Sequence, residues 1–343
     1  MWRAIYVSWG TLVVILIALA LSLLATLIPT IIYALTLRWF DRYEKEPLPL
    51  VIAAFLWGAI PAVILSAVGE FAADVPLSLF STSAAKLIGT SGVAPFAEEL
   101  AKGIFIYVVY LAFQREFDGP IDGIVYGALV GYGFAMTENW FYFLGAWFEG
   151  GWAKWSVLVV MRQFLFGMNH AFFTSLTGLG LGLARVSAPA WARFVFALAG
   201  LGAAMLFHSI HNLGAALAQT NGLTFVIGTL SDLGGVLFIF VIVLIGLAFE
   251  KDWMTTELKE EVAAGLIDAR EYAMTCSYRQ RIGAQLHAIL NGNWSAARRW
   301  SRLSQALTEL AFKKHQMRVR GQDYAREINR LRQEVAALRA AVG

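Results

Sequence analysis

Val93-Ala-Pro-Phe-Ala-Glu-Glu-Leu-Ala-Lys-Gly-Ile-Phe-Ile-Tyr-Val-Val-Tyr110 is apolar enough to lie inside a bilayer, yet its first half carries Glu98, Glu99 and Lys102. Three later apolar segments repeat the anomaly. Glu138 and Asn139 fall in the first, Arg162, Asn169 and His170 in the second, and His208, His211 and Asn212 in the third. Ionisable groups in hydrocarbon are costly, on the order of 3 kcal/mol each, unless they face a polar interior. A set of them on four segments implies a polar chamber enclosed by a helical membrane bundle.

Composition supports the membrane reading. Apolar residues make up 58% of the chain and charged ones 15%, and the mean hydropathy of +0.62 lies outside the range of soluble globular chains. The charges are segregated: residues 1–250 hold 11 Lys/Arg and 14 Asp/Glu, and residues 251–343 hold 16 and 10. The expected organisation is therefore a transmembrane bundle over 1–250 and a basic helical cytoplasmic tail over 251–343. The lone Cys276 forbids an intramolecular disulfide. The tail shows no zinc, phosphate-loop or nucleic-acid signature, and no nucleic-acid partner is expected.

The expected fold is all-α and polytopic. About 20 apolar residues are needed to cross roughly 30 Å of hydrocarbon, and seven stretches qualify: 9–37, 48–68, 93–113, 121–148, 157–183, 191–218 and 223–249. Residues 9–37 form too long an apolar run for a signal peptide and read as a retained first span. Residues 70–90 add room for a short re-entrant helix, giving seven or eight helices. With seven spans, Arg38, Arg42, Lys45, Arg115, Arg185, Arg193 and the basic tail share one side, against Arg3, Lys86 and Lys154 on the other. The positive-inside tendency then puts the tail in the cytoplasm and the N-terminus outside. Gly123, Gly127 and Gly131 recur every four residues, which predicts a face for close helix packing. Trp147, Trp152 and Trp155 suit an interfacial belt, and Asp232 is expected to pair with a buried Arg or Lys.

Measured at 1.5 Å per residue from the outer ends, Glu98, Asn212, Glu138, His208 and His170 all fall within roughly 8–20 Å of the outer surface. Such a layer implies a water-filled pocket opening outward. Glu98 and Lys102 are one helical turn apart, as are Phe134 and Glu138, and His208 and Asn212. Glu99 is turned about 100° from Glu98, so the neighbouring acids have different tasks. Desolvated carboxylates beside imidazoles are the ingredients for activating water, and an amide can steady an oxyanion. The absence of a Gly-x-Ser-x-Gly elbow and of His-Glu-x-x-His argues against serine and common zinc proteases.

The motifs Glu98-Glu99-Leu-Ala-Lys102, Phe134-Ala-Met-Thr-Glu138-Asn139 and His208-Ser-Ile-His-Asn212 resemble those of the PrsW family of bacterial intramembrane proteases, distant relatives of the CAAX prenyl endopeptidases and of bacteriocin-processing proteases. Asp122-Gly-Ile-Val-Tyr-Gly127 and the loop Asp41-Arg-Tyr-Glu-Lys-Glu-Pro47 are also similar to family features. The resemblance implies a multi-pass protein of the bacterial cytoplasmic membrane that cleaves a single-span membrane protein, of the anti-sigma-factor kind, on the extracytoplasmic side. It assigns water activation to Glu98 or Glu99, assistance to Glu138 and His208, and oxyanion stabilisation to Asn212. Lys102, Asn139, Arg162, His170 and His211 are expected to support them. No cofactor is required by that reading. The related endopeptidases have His where this chain has Glu138, which leaves open a divalent metal such as zinc on Glu98, Glu138, His170 and His208. A proton-coupled transporter and an inactive protease-fold scaffold are the rival readings.

In the tail, a break is expected near Asn291-Gly-Asn293, followed by one long helix from about 294 to 341. Leu303, Leu307, Leu310, Ile328, Leu331, Val335 and Leu338 form an amphipathic stripe. The stripe suits a homodimeric coiled coil, and the basic excess suits anionic lipid.

Overall fold

A computed structural model describes residues 9–40, 45–77, 82–218, 220–320 and 323–340. Arg3, Arg42, residues 41–44 of the loop noted above, and Gln219 lie outside them. Among the described residues all regular structure is helical, and the chain groups into two compact units that divide within one helix, at Val241 and Ile242.

The first unit contains α1 (Trp9–Phe40), α2 (Leu48–Trp57), α3 (Val63–Leu77), α4 (Ser83–Ile88), α5 (Ala94–Ala112), α6 (Pro120–Val159), α7 (Asn169–Val186), α8 (Ala190–Leu217) and the start of α9 (Gly222–Ala263). Among the described residues, four helices are long and apolar enough to cross a membrane: Trp9–Trp39, Leu48–Pro76, Ala190–Leu217 and Gly222–Ala263. Only 17–22% of their apolar windows is buried, so their hydrophobic surfaces face outward, as lipid-facing helices require. The opposite holds for α6 and α7. Every residue from Gly123 to Ala135 is buried, as are most of α7's. The inner helices α6 and α7 carry Glu138 and His170, and the outer α8 and α9 turn His208 and Asp232 inward from otherwise exposed apolar surfaces.

Hydrophobic attraction does not drive helices together in lipid, so close backbone approach must. The glycine face of α6 supplies it. A Cβ added at Gly123 would lie 2.0 Å from the Gly178 carbonyl oxygen, at Gly127 2.6 Å from that of Thr174, and at Gly131 2.3 Å from that of His170. These three positions seat α6 directly on α7. Below the polar layer, Ile106, Val109, Tyr126, Leu129, Val130 and Leu181 form an apolar core between α5, α6 and α7.

Three π-helical turns, Gly58–Ala62, Gly89–Val93 and Val160–Leu165, interrupt the bundle; such turns recur at functional sites. They correct the expected spans. The fourth segment runs to Val159 as α6 but breaks at Gly151, whose φ of 60° glycine adopts without cost. The expected fifth helix over 157–183 is not continuous: the third π turn ends at Leu165 and a new helix starts at Asn169. Irregular backbone at membrane depth survives only if its polar groups are met inside the protein. Here Tyr33 of α1 donates to the Gln163 backbone carbonyl at 2.8 Å, and the Gln163 side chain adds a second tie to α1 by donating Nε2 to Thr30 Oγ1 at 3.3 Å. The break places Asn169 and His170 in the first turn of α7. The tryptophans form a packed cluster, with Trp155 buried and its Nε1 donating to Ser22 at 3.0 Å, so only part of the expected belt faces outward.

The second unit comprises the remainder of α9, α10 (Ala269–Cys276), α11 (Tyr278–Leu290), α12 (Trp294–Arg320) and α13 (Ala325–Ala340). Asp268 caps α10 by accepting from the Glu271 amide at 2.7 Å while Glu271 accepts from the Asp268 amide at 2.8 Å. The single helix expected over 294–341 is two helices. Its apolar stripe is used within the chain: Leu310, Ile328 and Leu331 pack together across α12 and α13.

Candidate active site

Glu98, Glu99 and Lys102 lie on successive turns of α5, within reach of α6, α7 and α8. The helix is fixed by the Trp57 indole, which donates to the Ala101 carbonyl at 3.0 Å. Lys102, fully buried, places Nζ 3.1 Å from Glu98 Oε2, 2.8 Å from Glu99 Oε1 and 3.1 Å from His170 Nδ1, with the Phe134 ring 3.8 Å beneath it. A buried ammonium is tolerated only with such partners.

The two acids do different things. Glu99 is enclosed: Oε1 meets Lys102 and His208 Nδ1, the latter at 3.0 Å, and Oε2 accepts from Thr174 at 3.0 Å. It thereby ties α5 to α7 and α8. Glu98 takes its one hydrogen bond among the described residues from Lys102, and its Oε2 lies 3.8 Å from His208 Nε2 and 4.0 Å from His170 Nδ1.

The rings are held from behind. His170 Nε2 donates to Glu138 Oε2 at 2.8 Å, and Arg162 donates to the same carboxylate at 2.7 Å. His208 Nδ1 donates to Glu99. Each imidazole thus has one nitrogen fixed by a carboxylate, and these partners assign the tautomer that leaves a lone pair on the other, which on His208 lies 3.8 Å from Glu98 Oε2 and on His170 accepts from Lys102 at 3.1 Å, 4.0 Å from the same oxygen. The rings stand at 90° with centroids 5.0 Å apart, and Phe173 stacks on His208 at 4.8 Å.

One donor atom each from Glu98, His170 and His208 lies within 4.8 Å of the others. Two imidazoles and a carboxylate suit zinc, and carboxylates on the outer ring nitrogens are the usual way of orienting metal-bound histidines. The residues therefore fit a divalent ion. Of the four expected ligands, Glu138 stands apart, behind His170.

The supporting residues divide. Asn139 accepts from Arg162 Nε at 2.6 Å and donates to Gln163 at 3.2 Å, so both join the Glu138 side of the cluster. Asn212 is turned elsewhere, its amide donating to the Thr90 carbonyl at 3.0 Å, where it fastens α8 to the second π turn. His211 is also outside the cluster. It meets Asp232 Oδ2 at 2.7 Å, and the Asn169 amide donates to the same oxygen at 2.9 Å. Asp232 therefore pairs with an imidazole and an amide, not with the expected Arg or Lys, because the break before α7 brings Asn169 to it. Thr174 was not anticipated, although it lies one turn after His170 on the same face.

Residues 46–247 match the model of the PrsW family intramembrane metalloproteases. The chain is 31% identical to Protease PrsW of Geobacillus kaustophilus over 167 residues, which is 45% of this chain and 65% of that protein. It is 33% identical to Protease PrsW of Bacillus subtilis over 151 residues, 43% of this chain and 62% of that protein, and 33% identical to the Clostridioides difficile protein over 119 residues, 35% and 49%. The matches thus span about half to two thirds of the length of these curated relatives. No solved structure matches. Because the family model covers well over half of the 343 residues, with all the cluster-forming helices inside it, the chain belongs to the PrsW family of intramembrane metalloproteases.

Proposed function

We propose that this chain is an intramembrane endopeptidase that hydrolyses a peptide bond of a single-span membrane protein, of the anti-sigma-factor kind, on the extracytoplasmic side. The observation that carries the reading is the pair of imidazoles, each held by a carboxylate at one nitrogen and with the other nitrogen within 4.0 Å of Glu98. A structural ion cluster has no need of two such rings converging on one acid. A transporter gains nothing from that convergence either.

Glu98, His170 and His208 would hold a divalent ion such as zinc, which would acidify a bound water. Glu99, braced by Thr174, orients His208, and Glu138, braced by Arg162, orients His170. Lys102 offsets the charge of the Glu98 and Glu99 pair and lies close enough to steady a developing oxyanion. Without an ion, Glu98 accepts the proton of a water attacking the carbonyl carbon and passes it to the leaving nitrogen as the C–N bond breaks.

We further infer seven spans in the bacterial cytoplasmic membrane, with the N-terminus outside and the tail in the cytoplasm. The three additional spans are α5, the first part of α6, and α7. At 19 and 18 residues, α5 and α7 reach roughly 28 Å, enough to cross; their polar faces account for their lower apolarity. Reconstitution with single-span reporter substrates tests the activity, comparing wild type with Glu98→Gln, His170→Ala and His208→Ala, with and without chelator. Loss in all three variants is expected, with chelator inhibition reversed by zinc. Full cleavage by these variants would sink the proposal.

A further inference from the structure

In the second unit, the hairpin of α11 and α12 has an unusual surface. From Tyr272 to Thr308 the sequence holds five arginines, Arg279, Arg281, Arg298, Arg299 and Arg302, and no Asp or Glu. At its tip, Leu290 is 84% exposed, Trp294 59% and Leu286 52%. Isolated exposed apolar side chains are ordinary, but here three large ones fall within nine residues around the α11–α12 turn. Arg281 is turned inward, towards Thr308 at 3.5 Å; Arg279, Arg298 and Arg302 remain exposed.

The tip is built rigidly. Asn293 N donates to the Ala288 carbonyl and Gly292 N to that of Ile289, both at 2.9 Å, with Gly292 at φ 70°, which is the glycine-terminated ending of a helix. Asn293 Oδ1 then accepts from the Ala296 amide at 3.0 Å and starts α12. The Leu290 and Trp294 side chains are therefore presented on a fixed turn with no flexible loop between them. Arg298 leans over the tip, its Nε on the Trp294 carbonyl at 3.4 Å.

We propose that this hairpin docks Leu286, Leu290 and Trp294 into the interfacial layer of an anionic lipid bilayer, with Arg298 and Arg302 on the headgroup phosphates. Tryptophan and leucine beside arginine are the side chains that favour that layer. The unbroken positive charge matches a negative surface and gives no acidic partner anywhere to complement a basic one. Lipid is also the surface always at hand, since only the short α10 separates this hairpin from α9, a candidate membrane helix. Tethering raises the effective concentration, so a weak contact suffices.

The test uses the full-length protein in bilayers with a nitroxide on Leu290→Cys, a position exposed enough for the change to leave the fold intact. Burial pushes the buried Cys276 thiol up to about 11, so labelling at neutral pH falls on the introduced cysteine, and wild type is the control. In bilayers of phosphatidylcholine with phosphatidylglycerol, the label is expected to be accessible to oxygen and shielded from a nickel chelate. In phosphatidylcholine alone the shielding should be lost. Arg298→Gln and Arg302→Gln should each weaken docking about fivefold, the share of one cation near an anionic surface. A label open to nickel in both bilayers overturns the proposal. So does spin coupling between two copies that is indifferent to lipid charge, which would assign the tip to a homodimer.

Discussion

Two clusters of charge, one in each unit, look alike and are built on opposite principles. In the second unit Glu257, Glu260 and Glu261 meet Lys314, Arg318 and Arg332: Lys314 lies 2.8 Å from Glu260 and 2.7 Å from Glu261, Arg332 lies 2.7 Å from Glu261, and Arg318 pairs with Glu257. Three acids face three fixed cations, and the result is a strap joining α9, α12 and α13. In the first unit Glu98, Glu99 and Glu138 face, among the described residues, only the fixed cations Lys102 and Arg162. The remaining positions are taken by His170 and His208, which are neutral in the assigned tautomers. One cluster is closed, whereas the other lacks one positive charge and gathers Glu98 and one nitrogen of each ring within 4.8 Å of one another. A shortage of cations around well-oriented donors separates a site from a strap more clearly than the number of buried charges does.

The comparison breaks first at Glu98. Glu98→Gln keeps the volume and removes the acid that the cluster leaves open, so cleavage of a reporter substrate should fall about 10²- to 10⁴-fold while thermal unfolding stays close to wild type. A variant retaining most of its activity would make this cluster a second strap. Glu261→Ala should do the reverse. It leaves the Lys314 ammonium, only 6% exposed, without its nearest acid, and the expected loss of stability is about 3 kcal/mol. Denaturant unfolding followed through near-UV dichroism of Trp253, stacked on His315 at 4.3 Å, measures it; an unchanged midpoint would deny the strap its role.

Smaller effects sharpen the picture. Glu99→Gln and Glu138→Gln each loosen one imidazole and keep the other, so zinc affinity and turnover are expected to drop about 10- to 100-fold. The loss should appear mainly in kcat, because neither acid reaches towards substrate. Equal losses from Asn212→Ala would contradict the arrangement, since Asn212 holds Thr90 and stands outside the cluster.

Much of this was legible in the sequence because charge inside an apolar run is conspicuous. Glu98, Glu99, Lys102, Glu138, His170 and His208 could be marked from depth and helical spacing alone, and the four-residue glycine repeat foretold the seat of α6 on α7. The breaks were not legible. A π turn leaves no change in hydropathy, so 157–183 read as one helix, and the position of Asn169 at a helix start was hidden. Side-chain direction was hidden too: His208 and Asn212 share a helical face by spacing, yet one turns to Glu99 and the other to the backbone of Thr90. In the tail, the apolar stripe was visible, but nothing in its period says whether it meets another copy or folds back on itself.

The smallest expected effect follows from the break before α7. Asn169 and His170 are neighbours in the first turn of that helix, and they are gripped from opposite sides: Asn169 by Asp232 of α9 and His211 of α8, His170 by Lys102 and Glu138. Asp232→Ala removes the outer grip without touching the cluster, so His170 keeps its partners but loses part of its support. The expected loss in kcat is about fivefold, the worth of one hydrogen bond, with KM unchanged. Asp232→Asn, which still accepts from Asn169, should recover most of it. If alanine and asparagine behaved identically, Asp232 would matter through His211 alone, and the helix start would owe its position to the glycine contact between Gly131 and the His170 carbonyl.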